Sequence, residues 1–152
     1  MRVGLIADTH GLLRPEVLDA FASVEHILHA GDVGSPDVLE GLVRIAPVTA
    51  VRGNVDGGLG LPEVARLELA GVRVVVVHGD RFGSPTPEKV AQAYTDVDLA
   101  VYGHSHRPAL RQVGDVLVVN PGSAGRRRFR DPVSVAVADL WNGEASVTLV
   151  PL

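Results

Sequence analysis

The sequence predicts an α/β fold in which two β-sheets pack face to face with helices outside. Three observations predict it. The N-terminal part alternates apolar runs with helix-like stretches, the β-α-β-α-β pattern of a parallel sheet with right-handed crossovers. The remainder is rich in apolar runs, several of them joined at Ala70-Gly71, Gly114-Asp115 and Asn142-Gly143, which are hairpin signals. Apolar residues make up 46% of the chain, led by Val, Ala and Leu, with 4% aromatic, which suits a strand-rich core. Residues 1–152 are expected to form one domain, large enough to bury roughly two-thirds of its unfolded surface.

Residues 2–7 read as a buried strand, followed by a loop over 8–13 that contains Gly11. Pro15 suits the first turn of a helix, expected to run to about Ala22 with Val17, Leu18 and Phe21 on one face. A second strand over 26–30 ends in Gly31-Asp32. Ser35 caps a second helix with Val38, Leu39, Leu42 and Val43 as its apolar residues. Residues 47–51 make a third strand that leads to Gly53-Asn54. The Gly-rich loop 56–62 marks the change of character, and Leu59 and Leu61 in it are expected to be exposed, as part of a lid or a dimer contact. A hairpin over 64–77 ends in His78-Gly79. A Gly/Pro loop, a short helix over 87–93 and a strand over 98–102 lead to Gly103-His104-Ser105-His106. Two more hairpins, over 109–120 and 133–150, are separated by Asn120-Pro121-Gly122-Ser123 and a basic loop over 125–130.

With no cysteine, disulfides and thiolate metal sites are excluded, so any metal site is built from His, Asp, Glu and Asn. The net charge of −4 argues against a general nucleic-acid coat. No apolar run approaches the ~20 residues that span a bilayer, and residues 1–2 lead directly into a strand, so a cytoplasmic protein is expected.

Candidate functional residues gather where apolar runs end. Asp8 and His10 follow the first strand, Asp32 the second and Asn54 the third, and His78 and the His104/His106 pair follow later strands. In an open α/β sheet, ligands bind at the carboxyl ends of strands. A lone Asp or His at such a place usually caps or turns the chain. Seven together make an N,O-type metal site, too many ligands for one ion with an open position. Two ions sharing a carboxylate account for the number, and ions ~3.5–4 Å apart can stabilise both the attacking and leaving oxygens at phosphorus.

Asp8-x-His10, Gly31-Asp32, Gly53-Asn54-x-Asp56, His78-Gly79 and Gly103-His104-x-His106, in this order, resemble the motifs of the calcineurin-like metallophosphoesterases. The short chain and Asn120-Pro121-Gly122-Ser123 resemble the small single-domain branch, which contains phosphodiesterases and the metallophosphoesterase-like subunit of the retromer. The resemblance implies a four-layer α-β-β-α sandwich of two mixed sheets. It implies two divalent ions, with Mn²⁺ the first to add and Ni²⁺, Fe²⁺ or Zn²⁺ as substitutes. Asp8, His10, Asp32 and His106 would hold one ion, and Asp32, Asn54, His78 and His104 the other. A hydroxide bridging the ions would attack a phosphate ester in line, and a phosphodiester small molecule is the expected substrate in preference to a monoester. Asn54, Asp56 and His104 are the residues implied for the reaction itself.

Val55 departs from the wider family pattern, in which a His follows the Asn and serves the leaving group. Val can neither donate a proton nor hydrogen-bond, and general-acid help is worth ~10²–10⁴-fold. Asp56, left without that His, is expected to hold the Asn54 loop or a water. Arg81, Arg126 and Arg127 are candidates for binding a substrate anion, the latter two within the cluster Arg126, Arg127, Arg128 and Arg130, whose plainer role is a solvated loop. His29 is expected to be structural and His26 to lie on the surface. A binding scaffold on the same fold, a nuclease activity and a homo-oligomeric assembly stay open.

Overall fold

The computed structural model describes residues 1–128 and 130–152. The chain begins β1 (Arg2–Ile6), α1 (Pro15–Ala20), β2 (His26–His29), α2 (Pro36–Val43) and β3 (Val48–Ala50). The hairpin β4 (Val64–Leu69) and β5 (Val72–Val77) follows, then a 3-10 turn (Asp80–Phe82), α3 (Pro87–Ala93) and β6 (Leu99–Val101). Two further hairpins complete it, β7 (Ala109–Val113) with β8 (Val116–Asn120), and β9 (Ser134–Trp141) with β10 (Glu144–Pro151).

These strands form two mixed five-stranded sheets, in the orders β10-β9-β1-β2-β3 and β4-β5-β6-β8-β7. β1, β2 and β3 run parallel, as do β5, β6 and β8, with the hairpin partners antiparallel at the margins. Strand alternation sorts the apolar residues into layers. Val3 and Leu5 of β1, Leu28 of β2, Val74 and Val76 of β5 and Leu99 of β6 share the core between the sheets. Ile6 and Ile27, from the other face of the first sheet, pack against Val17, Phe21, Val38 and Leu42 of the α1 and α2 region. Val75, Val77 and Ala100 pack against Val90, Ala91 and Tyr94 around α3. This is the four-layer sandwich.

Each helix starts with Pro in its first turn, where the missing N–H costs nothing. Ser35 Oγ accepts from the Asp37 N–H at 3.3 Å and Thr86 Oγ1 from the Lys89 N–H at 3.2 Å, capping α2 and α3.

Three expectations are corrected, and the stripe of α2 is resolved. Helix α1 ends at Ala20, and its core stripe is Val17 with Phe21 just beyond, so the neighbouring Leu18 is turned out and exposed. In α2, Val38 and Leu42 are buried and Leu39 is half-buried against the same core, leaving Val43 exposed. Leu59 and Leu61 are not a free lid: both are partly buried against the core beneath α1 and α2. His26 is half-buried, its Nε2 2.8 Å from Thr49 Oγ1. No helix among the described residues is long and apolar enough to cross a membrane.

Candidate metal centre

The carboxyl ends of the parallel strands from both sheets meet at one edge. Backbone bonds lace the loops there: Asp8 N–H to Gly31 O (3.0 Å), His10 N–H to Asp32 O (2.9 Å), Gly103 N–H to His78 O (3.0 Å) and Ala124 N–H to Ala7 O (3.0 Å). The laced backbone is strained. Seven non-glycine residues among those described have positive φ, and two, Ala70 and Asn142, are hairpin turns. The other five are Asp8 (54°), His10 (46°), Asp32 (52°), His104 (69°) and His106 (60°). Left-handed backbone costs about 1–2 kcal/mol per L-residue, and its concentration on five of the seven candidate ligands marks a functional site rather than a set of turns.

The side chains converge in two groups, Asp8 with His10 and His106, and Asp32 with His78 and His104. In the first, His10 Nε2 is 3.3 Å from His106 Nε2, which is 3.4 Å from Asp8 Oδ1. In the second, His78 Nε2 is 3.2 Å from His104 Nδ1, 3.3 Å from Asp32 Oδ2 and 3.1 Å from Asn54 Oδ1. Asp32 Oδ2 also lies 3.5 Å from His10 Nε2, so one carboxylate oxygen faces both groups.

These distances fit cations. Donor atoms ~2.1 Å from a common ion are ~3.0–3.4 Å apart at octahedral or tetrahedral angles. The proton inventory agrees. His78 Nδ1 donates to Ala30 O at 2.8 Å, which leaves the neutral ring's lone pair on Nε2. That lone pair then faces carboxylate and amide oxygens, an arrangement that needs a positive charge among them. The His78 pKa shows the same demand: burial works to lower it, but the Asp32 hydrogen bond and the Asp8 charge leave it raised. Asp32 is lowered although burial opposes this, because His78 and the Val55 N–H (3.2 Å from Oδ1) stabilise its anion. His10 is lowered, mainly by burial, with Arg128 adding to the effect and Asp32 opposing it. Asp8 Oδ2 accepts from the His104 N–H at 3.0 Å, while buried Oδ1 accepts no hydrogen bond among the described residues.

A second set of side chains holds the loops. Asp56 is buried and accepts from the N–H groups of Val33 (3.0 Å), Gly34 (2.9 Å) and Gly53 (2.8 Å). Of the two roles open to it, this geometry favours holding the Asn54 loop. Asn120 Nδ2 donates to Gly103 O and Ser105 Oγ, and Ser123 Oγ donates to Asp8 O, so the Asn120-Ser123 segment supports the ligand loops besides turning the chain. Thr9 was not singled out in the sequence, although it stands between two candidate ligands. Its hydroxyl donates to Val33 O at 2.9 Å and accepts from His29 Nε2 at 3.0 Å.

His29 is fully buried, and its Nδ1 accepts from the Gly31 N–H at 3.2 Å, so it is held neutral with burial pushing its pKa down to about 4. The unfolded imidazole titrates near 6.5. As pH falls through the window from 6.5 to 4, the unfolded chain takes up a proton that the native one refuses, so stability present above 6.5 is lost. At ~1.4 kcal/mol per pKa unit, the group should cost about 2 kcal/mol between pH 7 and pH 5. Urea titrations in EDTA should show that much less pH dependence in His29→Gln than in the natural protein. Equal slopes would contradict it.

The substrate-anion candidates are spread around the edge. Arg81 lines a cavity of about 120 Å³ with Asn54 and His78, its guanidinium 5.7 Å from the Phe82 ring centre. Arg127 lines a small cavity with His106 and Ser123 and donates to Arg130 O at 2.7 Å. Arg126 is exposed on the same loop. Arg128 is the member whose charge reaches His10.

Residues 1–143 match the Calcineurin-like phosphoesterase superfamily domain. The chain is 38% identical to a protein of Methanothermobacter thermautotrophicus named "Probable metallophosphoesterase", over 87% of this chain and 82% of that one. It is 31% identical to Phosphodiesterase YfcE of Escherichia coli K12, over 91% and 88%. Among solved structures, wild-type Vps29 of Entamoeba histolytica complexed with Zn²⁺ superposes with a TM-score of 0.81, covering 99% of each chain at 23% identity, a likeness of fold.

Proposed function

The chain belongs to the calcineurin-like phosphoesterase superfamily, and from that premise we propose that it is a binuclear-metal-dependent phosphodiesterase. The observation that carries the reading is Asp32 Oδ2, within 3.5 Å of His10 Nε2 and 3.3 Å of His78 Nε2. Asp8, His10, Asp32 and His106 would hold one divalent ion, and Asp32, Asn54, His78 and His104 the other. The donors are nitrogen and oxygen without thiolate, and Mn²⁺ is the first ion to supply. A pair of such ions lowers the pKa of a water towards neutrality and neutralises charge on phosphoryl oxygens.

The chain's own groups set the geometry. The Val55 and His104 N–H groups orient the Asp32 and Asp8 carboxylates, and Ala30 O fixes the His78 tautomer. In the reaction a water oxygen bonds to phosphorus, one ester P–O bond breaks, and the departing oxygen takes up one of the water's protons. The products are a monoester and an alcohol. The Val55 side chain is 52% exposed at the site and supplies no proton. Aryl diesters, whose leaving groups need little protonation, should therefore be hydrolysed disproportionately well.

The test is metal-stripped protein reconstituted with Mn²⁺ and assayed on bis(p-nitrophenyl) phosphate, the monoester and cyclic nucleotides. Metal-activated cleavage of the aryl diester is expected. A protein inert on the whole panel would overturn the reading and favour a scaffold on this fold. The division of ligands has its own test. His106→Ala and His104→Ala should each reduce bound metal from two ions per chain to one, and spectra with Co²⁺ or Mn²⁺ should show that different sites are emptied. Loss of both ions in either variant, or the same remaining spectrum in both, would contradict the division.

A further inference from the structure

Beside His104 the surface opens into a cleft of about 530 Å³, within the ~300–1,000 Å³ range of small-molecule sites. It lies between the loop that leads into α3 and the loop that leads into β7, and is continuous with the candidate metal centre through His104. Of its apolar lining, Pro87 and Ala109 are half-buried, while Pro85 and Tyr102 are buried. Its lining carries the hydroxyls of Ser84, Thr86 and Ser105 and one Arg, Arg107. Ser105 Oγ already accepts from the Arg107 N–H and from Asn120 Nδ2, so its own O–H is available to a guest. Arg107 is exposed, and its guanidinium makes no ion pair among the described residues, unlike Arg52, Arg66, Arg73 and Arg111. No carboxylate lines the cleft in a chain of net charge −4, whereas the smaller cavity beside Asn54 contains Glu63 and Asp80.

We infer that this cleft receives one ester arm of the substrate, and that the arm is a nucleoside-sized group with a second anionic substituent. Arg107 at the rim, able to pair with two oxygens of a phosphate, suits the second anion. The inference rests on the phosphodiesterase reading and names the substrate class of that same site.

Three esters with one leaving group separate the two claims: methyl p-nitrophenyl phosphate, thymidine 5′-(p-nitrophenyl phosphate), and the latter with a 3′-phosphate. With Mn²⁺ the natural protein should prefer the thymidine ester to the methyl ester, and the 3′-phosphorylated ester further, each by about tenfold or more in kcat/KM. Ala109→Trp, which fills the cleft, should collapse the thymidine-to-methyl ratio towards one, mainly through KM. Arg107→Ala, a surface change that leaves packing intact, should collapse only the preference for the 3′-phosphate. Ratios that are near one in the natural protein, or that neither variant changes, would overturn the cleft assignment while hydrolysis continues. Failure to cleave any of the three esters would instead sink the phosphodiesterase reading beneath it.

Discussion

Asp32→Ala is expected to abolish metal-activated diester hydrolysis, with a loss of at least ~10³-fold in kcat, the scale of removing a principal source of transition-state charge stabilisation. The loss should exceed that of any single histidine change, because the same carboxylate oxygen faces donors from both groups. Metal content should fall below one ion per chain at equilibrium. The fold should survive, because a buried anion is removed from among imidazoles that can stay neutral. The pertinent measurements are bound metal after dialysis, kcat on bis(p-nitrophenyl) phosphate, and the far-UV circular dichroism spectrum. Retention of two ions with full activity would remove Asp32 from the centre. An unfolded variant would be replaced by Asp32→Asn, which keeps the shape and loses the charge.

Gly53→Ala should be the most damaging small change to the fold. A methyl group there would lie 2.0 Å from Asp32 Oδ1 and 2.3 Å from Asp32 N. One of these atoms is backbone, held by loops that are themselves laced to neighbouring strands, so the clash cannot be relieved by a side-chain rotation. Forced movement of the Asp32 loop would also strain the Asp56 bonds to Val33, Gly34 and Gly53. A loss of about 3 kcal/mol or more in urea unfolding is expected, together with weakened metal binding. Gly57→Ala, in a loop where an added methyl meets nothing within 4 Å, is the control and should be nearly neutral. Similar stabilities for the two variants would show that the loop yields more easily than its backbone bonds suggest.

Much of this architecture could be read from the chain because its signals are local. Each hairpin turn was written in a glycine pair or an Asn-Gly step, and the β7–β8 boundaries follow the sequence expectation. Proline at the first turn located the first helix, and the Ser35 cap the second. The candidate ligands stood at strand ends, where topology gathers them. What was not legible depends on contacts between distant segments. That Val43 alone of four apolar residues in α2 turns outward is decided by the sheet beneath, not by the helix. Leu59 and Leu61 sit in a glycine-rich stretch with no periodicity, and only the core below them explains their burial. The service of Asp56 to Val33 and Gly34, and of Thr9 to His29, spans about twenty residues and leaves no pattern in either segment.

Each donor group also has a chronology. Asp8 and His10 lie near the start of the chain and their partner His106 near residue 106, while Asp32 waits for His78 and His104. Synthesis delivers the first three strands with Asp8, His10 and Asp32, and the missing imidazoles of His78, His104 and His106 arrive after strands of the second sheet. A nascent N-terminal fragment therefore offers an ion an incomplete set of donors at this edge. Full coordination is expected only once both sheets have docked, so metal uptake during refolding should be a late event that times completion of the sandwich.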